Sequence, residues 1–402
     1  MIDRELLRQN PQIFKDSLTN RGGKPELVEQ CLDIDTSWRA LMANVESLRA
    51  TKNQLSRGGK PDAASLKKAQ NVSKKLTTEE TALKKAGEKL DDAISRLPNV
   101  IATDVPVGEG ESANAVMEKI GRIRLKKGQS HEELMTKLNW LDLSMAAKVS
   151  GARFRYLKGS AATAWMELSR LGFQFAVKNG FQPIIPPVLV RADVLTNGGF
   201  FPEGEEDTFK VGGDLYLVGT SEYSLVASEM NRTFEYNELP LRLVGFSTCF
   251  RKEAGSYGKD VKGMFRQHQF DKVEMVSICR PDQSESEHAF LLEMQKRFVR
   301  QLDLPYQVVL IGSGDLEKKA VKRFDLETWF PSQQRYRETH SVSNCTDYQS
   351  RSLGIKFRDQ TGTTQFAHTL NGTVVTERLL LAYIENNQRP DGSVNLPRHW
   401  RI

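Results

Sequence analysis

The sequence predicts an α+β protein in which a long antiparallel helical hairpin precedes a domain built on an antiparallel sheet flanked by helices. Two observations support this prediction. Apolar residues recur at steps of three and four through two early segments, which a turn containing glycine and proline separates. Farther along, segments rich in β-branched and aromatic residues follow one another as often as they alternate with helical segments. That order favours an antiparallel sheet over a doubly wound parallel one.

The hairpin is predicted over residues of about 27–97, within an N-terminal helical domain of residues 1–100. Its first apolar seam consists of Leu27, Cys31, Ile34, Trp38, Leu41, Val45, Leu48 and Leu55, broken only at Lys52. Its second consists of Ala69, Val72, Leu76, Leu83, Ala86, Leu90 and Leu97. Two glycines and a proline between Ser56 and Asp62 mark the turn. Each limb would be roughly 45 Å long at ~1.5 Å per residue, too narrow to enclose an active site but able to reach a large partner.

Basic residues are concentrated around this turn. The whole chain of 402 residues has 57 Lys+Arg and 51 Asp+Glu, a net charge of +6. Residues 51–75 alone hold seven basic residues against Asp62, an equal excess. A local cluster of this kind indicates a polyanionic partner such as a nucleic acid, although lysines that merely solvate a coiled coil are an alternative. The seven residues are Lys52, Arg57, Lys60, Lys67, Lys68, Lys74 and Lys75.

Composition limits the class of protein further. Apolar residues make up 39% and charged residues 27%, which excludes collagen-like and wholly disordered chains. The four cysteines lie far apart without a Cys-x-x-Cys pair, so we expect reduced thiols in a cytoplasmic protein and no zinc site. We find neither a run long enough to span a membrane nor a secretory signal, and therefore expect no membrane partner.

The rest of the chain is predicted to be a Gly-, Val- and Glu-rich linker over residues 101–128, followed by a second domain over residues 129–402. Strands are expected over Phe181–Val190, Asp214–Val218, Leu241–Phe250, Phe270–Val276 and Tyr306–Ile311. Helices are expected over Ala161–Val177, Asp282–Leu304 and Val375–Asn387.

The stretch from Phe250 to Glu274 holds the most informative group of residues. No Gly-x-x-x-x-Gly-Lys-[Ser/Thr] phosphate loop occurs in the chain, and Gly312-Ser313-Gly314 lacks the third glycine of a dinucleotide site. Instead, Arg251 and Arg266 bracket a loop with three glycines, and arginine supplies forked donors suited to phosphate or carboxylate. Phe270 offers a face on which a base could stack. From composition alone, an ordinary charged hairpin remains an alternative.

This stretch resembles motif 2 of class II aminoacyl-tRNA synthetases and is similar in detail to seryl-tRNA synthetases of the bacterial type. It reads Phe-Arg-Lys-Glu-Ala-Gly-Ser, then Gly-Lys-Asp, then Arg-Gln-His-Gln-Phe-Asp-Lys-Val-Glu. The likeness extends over nearly the whole chain. It includes Arg8-Gln9-Asn10-Pro11, the hairpin as a tRNA-binding arm, and Gly180 to Pro187 as motif 1, which in the class lies at a dimer interface.

The resemblance implies a class II catalytic domain, a homodimer and a two-step reaction. Serine and ATP would form seryl-adenylate and pyrophosphate, and the seryl group would then pass to the 3′-terminal adenosine of tRNA(Ser), with tRNA(Sec) as a further acceptor in cells that have it. The first step needs positioning and charge neutralisation at the α-phosphate rather than an enzymic nucleophile. The seven basic residues of the hairpin would bind the tRNA.

By the same resemblance, Arg251, Glu253 and Arg378 would be catalytic. Arg251 would hold the α-phosphate and the serine carboxylate together, Glu253 would contact the adenine side, and Arg378 would stack over adenine and touch the γ-phosphate. Arg266 would reach the outer phosphates and Phe270 would stack on adenine. The serine pocket would consist of Thr220, Glu222, Arg251, Glu274 and Thr373, with Thr220 and Glu222 binding the serine ammonium.

A later stretch, Arg337 to Asn344, resembles the family's metal- and ATP-binding element. There Glu338 and Ser341 would ligate Mg²⁺, which prefers oxygen ligands, and the intervening Thr339 and His340 belong to the same ATP-binding stretch. His340 replaces a small residue of the family pattern. Because the six histidines are scattered, we expect His340 and His268 to be structural.

The segment that resembles motif 3, Leu370 to Arg378, departs from the family pattern. It is one residue shorter, and Glu377 stands where a small residue normally precedes the arginine. A one-residue deletion at the start of a helix rotates the rest of the helix by about 100° unless a loop absorbs it, so the placement of Arg378 depends on the local fold.

Two other functions are compatible with parts of the sequence. One is a paralogue that loads an amino acid onto a carrier protein or small molecule, which the unusual motif 3 favours but the basic hairpin does not. The other is a non-catalytic RNA-binding or coiled-coil protein. The acidic set Glu222, Glu253, Glu274 and Glu338 argues against it, because such carboxylates need a cationic ligand or a metal nearby.

Overall fold

The computed structural model describes residues 1–57, 63–254 and 264–400 and divides the chain into two compact units. One unit spans Ile2–Val100, and the other comprises Met1 together with Ile101–Ile402. Within the described residues, no helix is both long and apolar enough to cross a membrane.

The first unit consists of helices. They are α1 (Arg4–Gln9), α2 (Pro11–Asn20), α3 (Glu26–Arg57) and α4 (Ala63–Ser95). Helix α3 has 32 residues and is therefore about 48 Å long, and it packs along α4. Residues of both predicted apolar seams are buried, among them Cys31, Val45, Leu76 and Leu90. These apolar contacts along both helices confirm the helical hairpin.

A buried acid fixes α1 against α3 inside this unit. Asp35 is 2% exposed and accepts hydrogen bonds from Arg8 Nε at 2.8 Å and from Arg39 Nε at 2.9 Å. Burial raises the pKa of Asp35, but the two arginines outweigh it, so that its pKa lies below the ordinary value. The carboxylate therefore stays ionised and holds the base of the hairpin.

The basic residues of the hairpin that the structure describes are on its surface. Lys52, Lys67, Lys68, Lys74 and Lys75 are all exposed. Lys60 and most of the predicted turn lie outside the described residues, as does the side chain of Arg57.

The second unit contains the remaining elements. Its helices are α5 (His131–Lys137), α6 (Leu143–Ser150), α7 (Gly159–Lys178), α8 (Ala192–Asn197), α9 (Glu222–Ala227), α10 (Ser284–Gln301), α11 (Tyr348–Leu353) and α12 (Glu377–Asn386). Its strands are β1 (Ala115–Ile120), β2 (Leu141–Asp142), β3 (Tyr156–Leu157), β4 (Gln182–Ile184), β5 (Leu189–Arg191), β6 (Lys210–Gly212), β7 (Leu215–Leu217), β8 (Thr233–Phe234), β9 (Leu241–Phe250), β10 (Gln269–Cys279), β11 (Tyr306–Leu310), β12 (Lys322–Phe330), β13 (Arg335–Asn344), β14 (Lys356–Arg358), β15 (Thr364–Phe366) and β16 (His368–Thr376).

A large sheet organises this unit. Its strand order is β1-β11-β12-β13-β16-β10-β9-β4, and every neighbouring pair is antiparallel except β4 and β9. Helices α7, α10 and α12 pack against it and contribute Leu168, Phe298 and Leu380 to its main apolar core. The antiparallel α+β architecture is thereby confirmed.

Several predicted elements differ from those observed. Part of the segment expected as a linker, Ala115–Ile120, is β1, which pairs with β11 at the edge of the sheet. The long strand expected over Phe181–Val190 is two short strands. The helix expected from Val375 begins at Glu377, because Val375 and Thr376 complete β16. Strands β12, β13 and most of β16 had no counterpart in the prediction.

Candidate active site

Two neighbouring cavities in the second unit contain nearly all of the predicted site residues. The larger, about 410 Å³, is lined by Thr220, Glu222, Glu274 and Asn371 among others. The smaller, about 100 Å³, is lined by Glu253, Phe270, Glu338, Thr373 and Arg378 among others. Arg251, Lys272 and Ser341 line both cavities. A residue lining both can contact two reactants at once.

The sheet register brings these residues together. Arg251 follows the last residue of β9, and Glu274 on β10 lies opposite Thr373 on β16. Residue Val374 is an extra residue of β16 at this point, where the register between the two strands shifts. On β13, Glu338 and Ser341 are separated by the buried Thr339 and His340. Residues distant in the chain therefore converge because central strands pair side by side.

Arg251 is held at the junction of the two cavities. Its Nε donates a hydrogen bond to the Gly219 carbonyl oxygen at 3.1 Å. Its guanidinium carbon lies 5.2 Å from the centre of the Phe270 ring, within reach of a cation–π contact. These contacts engage Nε and one face of the guanidinium.

A buried acid of the larger cavity is hydrogen-bonded to a hydroxyl of the smaller cavity. Glu274 is 2% exposed, and its Oε2 accepts a hydrogen bond from Thr373 Oγ1 at 3.1 Å and pairs with Lys272 Nζ at 2.9 Å. Burial raises the pKa of Glu274 above its ordinary value despite the opposing charge of Lys272. The two cavities thus share an acceptor and a hydroxyl in direct contact, a set suited to a small polar ligand.

Glu222, expected to bind a substrate ammonium, already has a cationic partner. Lys319 Nζ lies 2.6 Å from each of its carboxylate oxygens, and Gln349 Nε2 donates to Oε1 at 3.0 Å. The backbone N–H of Glu222 donates to Thr220 Oγ1 at 3.2 Å. The two residues predicted to bind an ammonium are therefore adjacent, but the carboxylate is occupied by a lysine.

Glu253 and Arg266, which both follow Arg251 in the chain, form an ion pair. Arg266 Nη1 lies 2.8 Å from Glu253 Oε2, and Arg153 Nη1 donates to the Glu253 carbonyl oxygen at 3.0 Å. Glu253 has a φ of +52°, which is uncommon for residues other than glycine and is often found at functional sites. Residues 255–263, the glycine-containing part of this loop, lie outside the described residues.

Arginines surround Glu338. Arg378 Nη1 donates to Glu338 Oε2 at 2.9 Å, and Arg323 Nη2 donates to Oε1 at 3.2 Å. Burial raises the pKa of Glu338, but the charges of Arg378, Arg323 and Arg251 lower it more, so that its pKa lies below the ordinary value. Glu338 therefore remains a carboxylate within a strongly cationic region.

The unusual motif 3 segment keeps Arg378 at the cavity. Helix α12 begins directly after β16, and Arg378 Nε donates to the Phe265 carbonyl oxygen at 3.2 Å. The preceding Glu377 is buried and pairs with Arg155, while the Asp271 backbone N–H donates to its Oε1 at 3.1 Å. An acid in place of a small residue is therefore accommodated by an arginine partner.

Thr339 and His340 are buried at the smaller cavity, and their side chains have partners inside the protein. Thr339 Oγ1 contacts Thr328 Oγ1 at 2.8 Å and His340 Nδ1 at 2.9 Å, and His340 Nε2 contacts the Val374 carbonyl oxygen at 3.0 Å. Burial lowers the pKa of His340 to about 4. His340 is thus a neutral residue whose two ring nitrogens are both engaged inside the protein.

Three cations at the site were not anticipated from the sequence. Lys272 could have been found, since it lies two residues before Glu274 and therefore on the same face of β10. Lys319 and Arg323 follow a segment without a recognisable motif, and they reach Glu222 and Glu338 only through the fold. No local signal in the sequence indicates them.

Family models match both parts of the chain. Residues 1–101 match the seryl-tRNA synthetase N-terminal domain. Residues 209–387 match the tRNA synthetase class II core domain (G, H, P, S and T). The second match contains the predicted residues of both cavities.

Similar proteins cover the whole chain. Serine–tRNA ligase of Mycobacterium marinum is 41% identical over 404 aligned positions, covering 99% of this chain and 96% of the relative, and that of Mycobacterium tuberculosis is 42% identical with the same coverage. The crystal structure of seryl-tRNA synthetase from Pyrococcus horikoshii complexed with ATP is similar with a TM-score of 0.92 at 36% identity, covering 100% of this chain and 97% of that one. Cytoplasmic serine–tRNA ligase from Naegleria fowleri, in complex with AMP, has a TM-score of 0.87 at 31% identity, covering 100% and 96%.

Proposed function

Because this chain belongs to the seryl-tRNA synthetase family, we propose that it is a serine–tRNA ligase whose two cavities hold serine and ATP on either side of Arg251. The position of Arg251, which lines both cavities, is the observation that carries the assignment of roles. The larger cavity takes the amino acid, and the smaller one together with the arginine-rich region around Glu338 takes the nucleotide.

The first step joins serine to AMP. A serine carboxylate oxygen attacks the α-phosphorus of ATP, the bond from that phosphorus to the bridging oxygen breaks, and pyrophosphate leaves. The attacking carboxylate is already ionised, so no general base is needed. Arg251 binds both the serine carboxylate and the α-phosphate, which aligns the reacting atoms and offsets the charge that develops between them.

Serine is selected by polar residues of the larger cavity and by Thr373, which lines the smaller one. Its ammonium binds near Thr220 and Glu222, and its hydroxyl reaches Glu274 and Thr373, which already share a hydrogen bond of 3.1 Å. An amino acid that lacks the hydroxyl would forgo the hydrogen bonds to Glu274 and Thr373 and should therefore bind more weakly than serine. Alanine should therefore be a poor substrate.

ATP is bound by residues of motifs 2 and 3 and of β13. Glu253 faces the adenine, Phe270 stacks on it, Arg266 reaches the outer phosphates, and Arg378 binds the γ-phosphate. Thr339 and His340 belong to the same stretch of β13, but their side chains have internal partners, so they support Glu338 and Ser341 rather than contact the nucleotide through their side chains.

The residues present fit a Mg²⁺ ion bound together with ATP. Glu338 offers a carboxylate that stays ionised, and Ser341, which lines both cavities, offers a hydroxyl. No three His, Cys, Asp or Glu side chains of the described residues form a metal site by themselves, so the ATP phosphates and water would complete the oxygen ligands that Mg²⁺ prefers. The ion would neutralise phosphate charge when bound.

The second step transfers the seryl group to the 3′-terminal adenosine of tRNA(Ser), and to tRNA(Sec) where a cell has it. The hairpin supplies the basic surface for the tRNA backbone through Lys52, Arg57, Lys60, Lys67, Lys68, Lys74 and Lys75. The described lysines of this set are exposed, and contacts of this kind with phosphates contribute strongly salt-dependent affinity. We also propose a homodimer, assembled around the motif 1 segment Gly180 to Pro187, and a cytoplasmic location.

Pyrophosphate exchange tests the assignment. ATP–pyrophosphate exchange measured with each of the twenty amino acids should be specific for serine and abolished by chelation of Mg²⁺. Charging of tRNA(Ser) should follow. Exchange with serine but no charging of tRNA would favour the carrier-loading alternative, and no exchange with serine would refute the proposed function.

The arm has its own test. Replacing Lys52, Arg57, Lys67 and Lys68 by glutamate should impair tRNA charging and leave serine-dependent exchange intact, because these residues belong to the first unit and both cavities are in the second. Equal loss of both activities would show that the hairpin is only structural. Dimerisation is measurable separately by analytical ultracentrifugation.

A further inference from the structure

The buried Lys319 is paired with Glu222, the carboxylate to which a substrate ammonium would bind. Lys319 is 5% exposed and Glu222 is 3% exposed, and Lys319 Nζ lies 2.6 Å from both carboxylate oxygens. With Gln349 Nε2 donating a further hydrogen bond at 3.0 Å, the Glu222 carboxylate is already well satisfied. A buried acid normally requires such compensation.

We propose that Lys319 is a specificity-determining residue of the amino-acid pocket, because its ammonium must be displaced from Glu222 before the ammonium of the substrate can bind there. This inference rests on the proposed function, in which Glu222 receives the ammonium of serine. A second ammonium beside Lys319 Nζ would face a like charge in a site with little solvent to screen it. The substrate therefore competes with an internal cation.

The structure offers the displaced ammonium another position. Lys319 Nζ already lies 3.7 Å from Glu317 Oε2 and 4.2 Å from the centre of the Phe200 ring. A carboxylate and an aromatic face can both hold an ammonium group. Because Glu317 and Phe200 also line the larger cavity, the lysine could swing aside without leaving it.

Lys319 stays charged at neutral pH. Burial by itself would lower its pKa, but the carboxylates of Glu222 and Glu317 outweigh burial, so that its pKa lies above the ordinary lysine value. Another acid that lines the larger cavity, Glu274, is paired with Lys272. Glu222 and Glu274 thus each have a protein cation before an amino acid enters.

The decisive variant is Lys319→Met, which keeps the length of the side chain and removes its charge. Glu222 then lacks a cation until the amino acid supplies one, so the KM for serine in pyrophosphate exchange should fall by at least about tenfold, as expected when a hydrogen bond to a charged group no longer has to be broken. Serine should also raise the Tm of this variant more than that of the parent. Lys322→Met is the matched control, since Lys322 pairs with Asp104 instead.

A measurement on the unmodified protein provides a second test should Lys319→Met not fold. L-Glycerate is serine with a hydroxyl in place of the ammonium. If the ammonium of serine adds little binding free energy because it must displace Lys319, the Ki of L-glycerate should lie within about tenfold of the KM for serine. In Lys319→Met, the preference for serine should exceed about a hundredfold.

The outcomes separate this inference from the proposed function. A parent that exchanges with serine, together with an unchanged or raised KM in Lys319→Met, would overturn the role of Lys319 alone. So would a parent that prefers serine over L-glycerate by more than about a hundredfold. A parent that shows no exchange with serine would refute both.

Discussion

Replacing Arg378 by alanine tests the segment in which this sequence departs most from its family. Arg378 Nη1 donates to Glu338 Oε2 at 2.9 Å, and its Nε donates to the Phe265 carbonyl oxygen at 3.2 Å. These contacts place the guanidinium at the edge of the smaller cavity. Arg378→Ala would remove the cation that we propose binds the γ-phosphate of ATP.

The expected effect depends on the strength of one hydrogen bond to a charged group. Such a bond contributes about 1.5–3 kcal/mol, which corresponds to about a ten- to hundredfold loss of rate. Pyrophosphate exchange at saturating serine, with ATP varied, should therefore show a raised KM for ATP and an exchange rate lowered at least about tenfold. The KM for serine should change little, because Arg378 does not line the larger cavity.

Two further variants make the result interpretable. Arg378→Lys keeps the charge without the forked geometry and should recover part of the activity. Arg170→Ala is the control, since Arg170 pairs with Glu167 on the surface of α7 and should have no effect. Unchanged exchange in Arg378→Ala would show that the nucleotide is not bound at this end of α12, and that the assignment of Arg378 is wrong.

Three further predictions concern stability, pH and the amino-acid pocket. Glu377→Ala should lower the free energy of unfolding in urea by about 3 kcal/mol, because it leaves the buried Arg155 without its carboxylate partner, and adding Arg155→Met should recover most of this loss. Burial lowers the pKa of both His288 and His340 to about 4, so the unfolded chain takes up protons first. Above pH ~6.5 these two histidines should therefore not affect the free energy of unfolding. As the pH drops to ~4, each of them should lower the free energy of unfolding by about 3 kcal/mol. Urea titrations with His340→Gln should show a smaller decrease over this pH range. Glu274→Gln should raise the KM for serine at least about tenfold while leaving that for ATP unchanged, and an equal effect on both would contradict its place in the amino-acid pocket.

Much of the fold is predictable from local patterns. The heptads of α3 and α4 are visible because a helical pair buries one face at a regular spacing, and β9 and β10 are visible because they are rich in β-branched and aromatic residues. Strand β13 was missed for the opposite reason. Its sequence is Arg-Tyr-Arg-Glu-Thr-His-Ser-Val-Ser-Asn. Polar and charged residues of the candidate site stand there in place of the apolar residues that usually indicate a strand.

In the candidate site, too, some residues are predictable from a local pattern and others are not. Arg251 and Glu253 belong to a linear motif, so the resemblance of that motif to motif 2 is enough to predict a phosphate- and carboxylate-binding loop. Lys319 carries no such signal, because it is 97 residues from Glu222 and meets it only in the folded chain. The residues next to Lys319 in the sequence do not indicate that it pairs with Glu222.

From the amino-acid sequence alone we could infer the family, the basic hairpin and most of the charged residues of the candidate site. The fold then shows which charged residues face one another, as in the pairs Glu222–Lys319, Glu338–Arg378 and Glu377–Arg155. The physical reason is that local patterns reflect short-range backbone and burial preferences, whereas ion pairs between distant residues depend on strand register and on burial that lowers solvent screening.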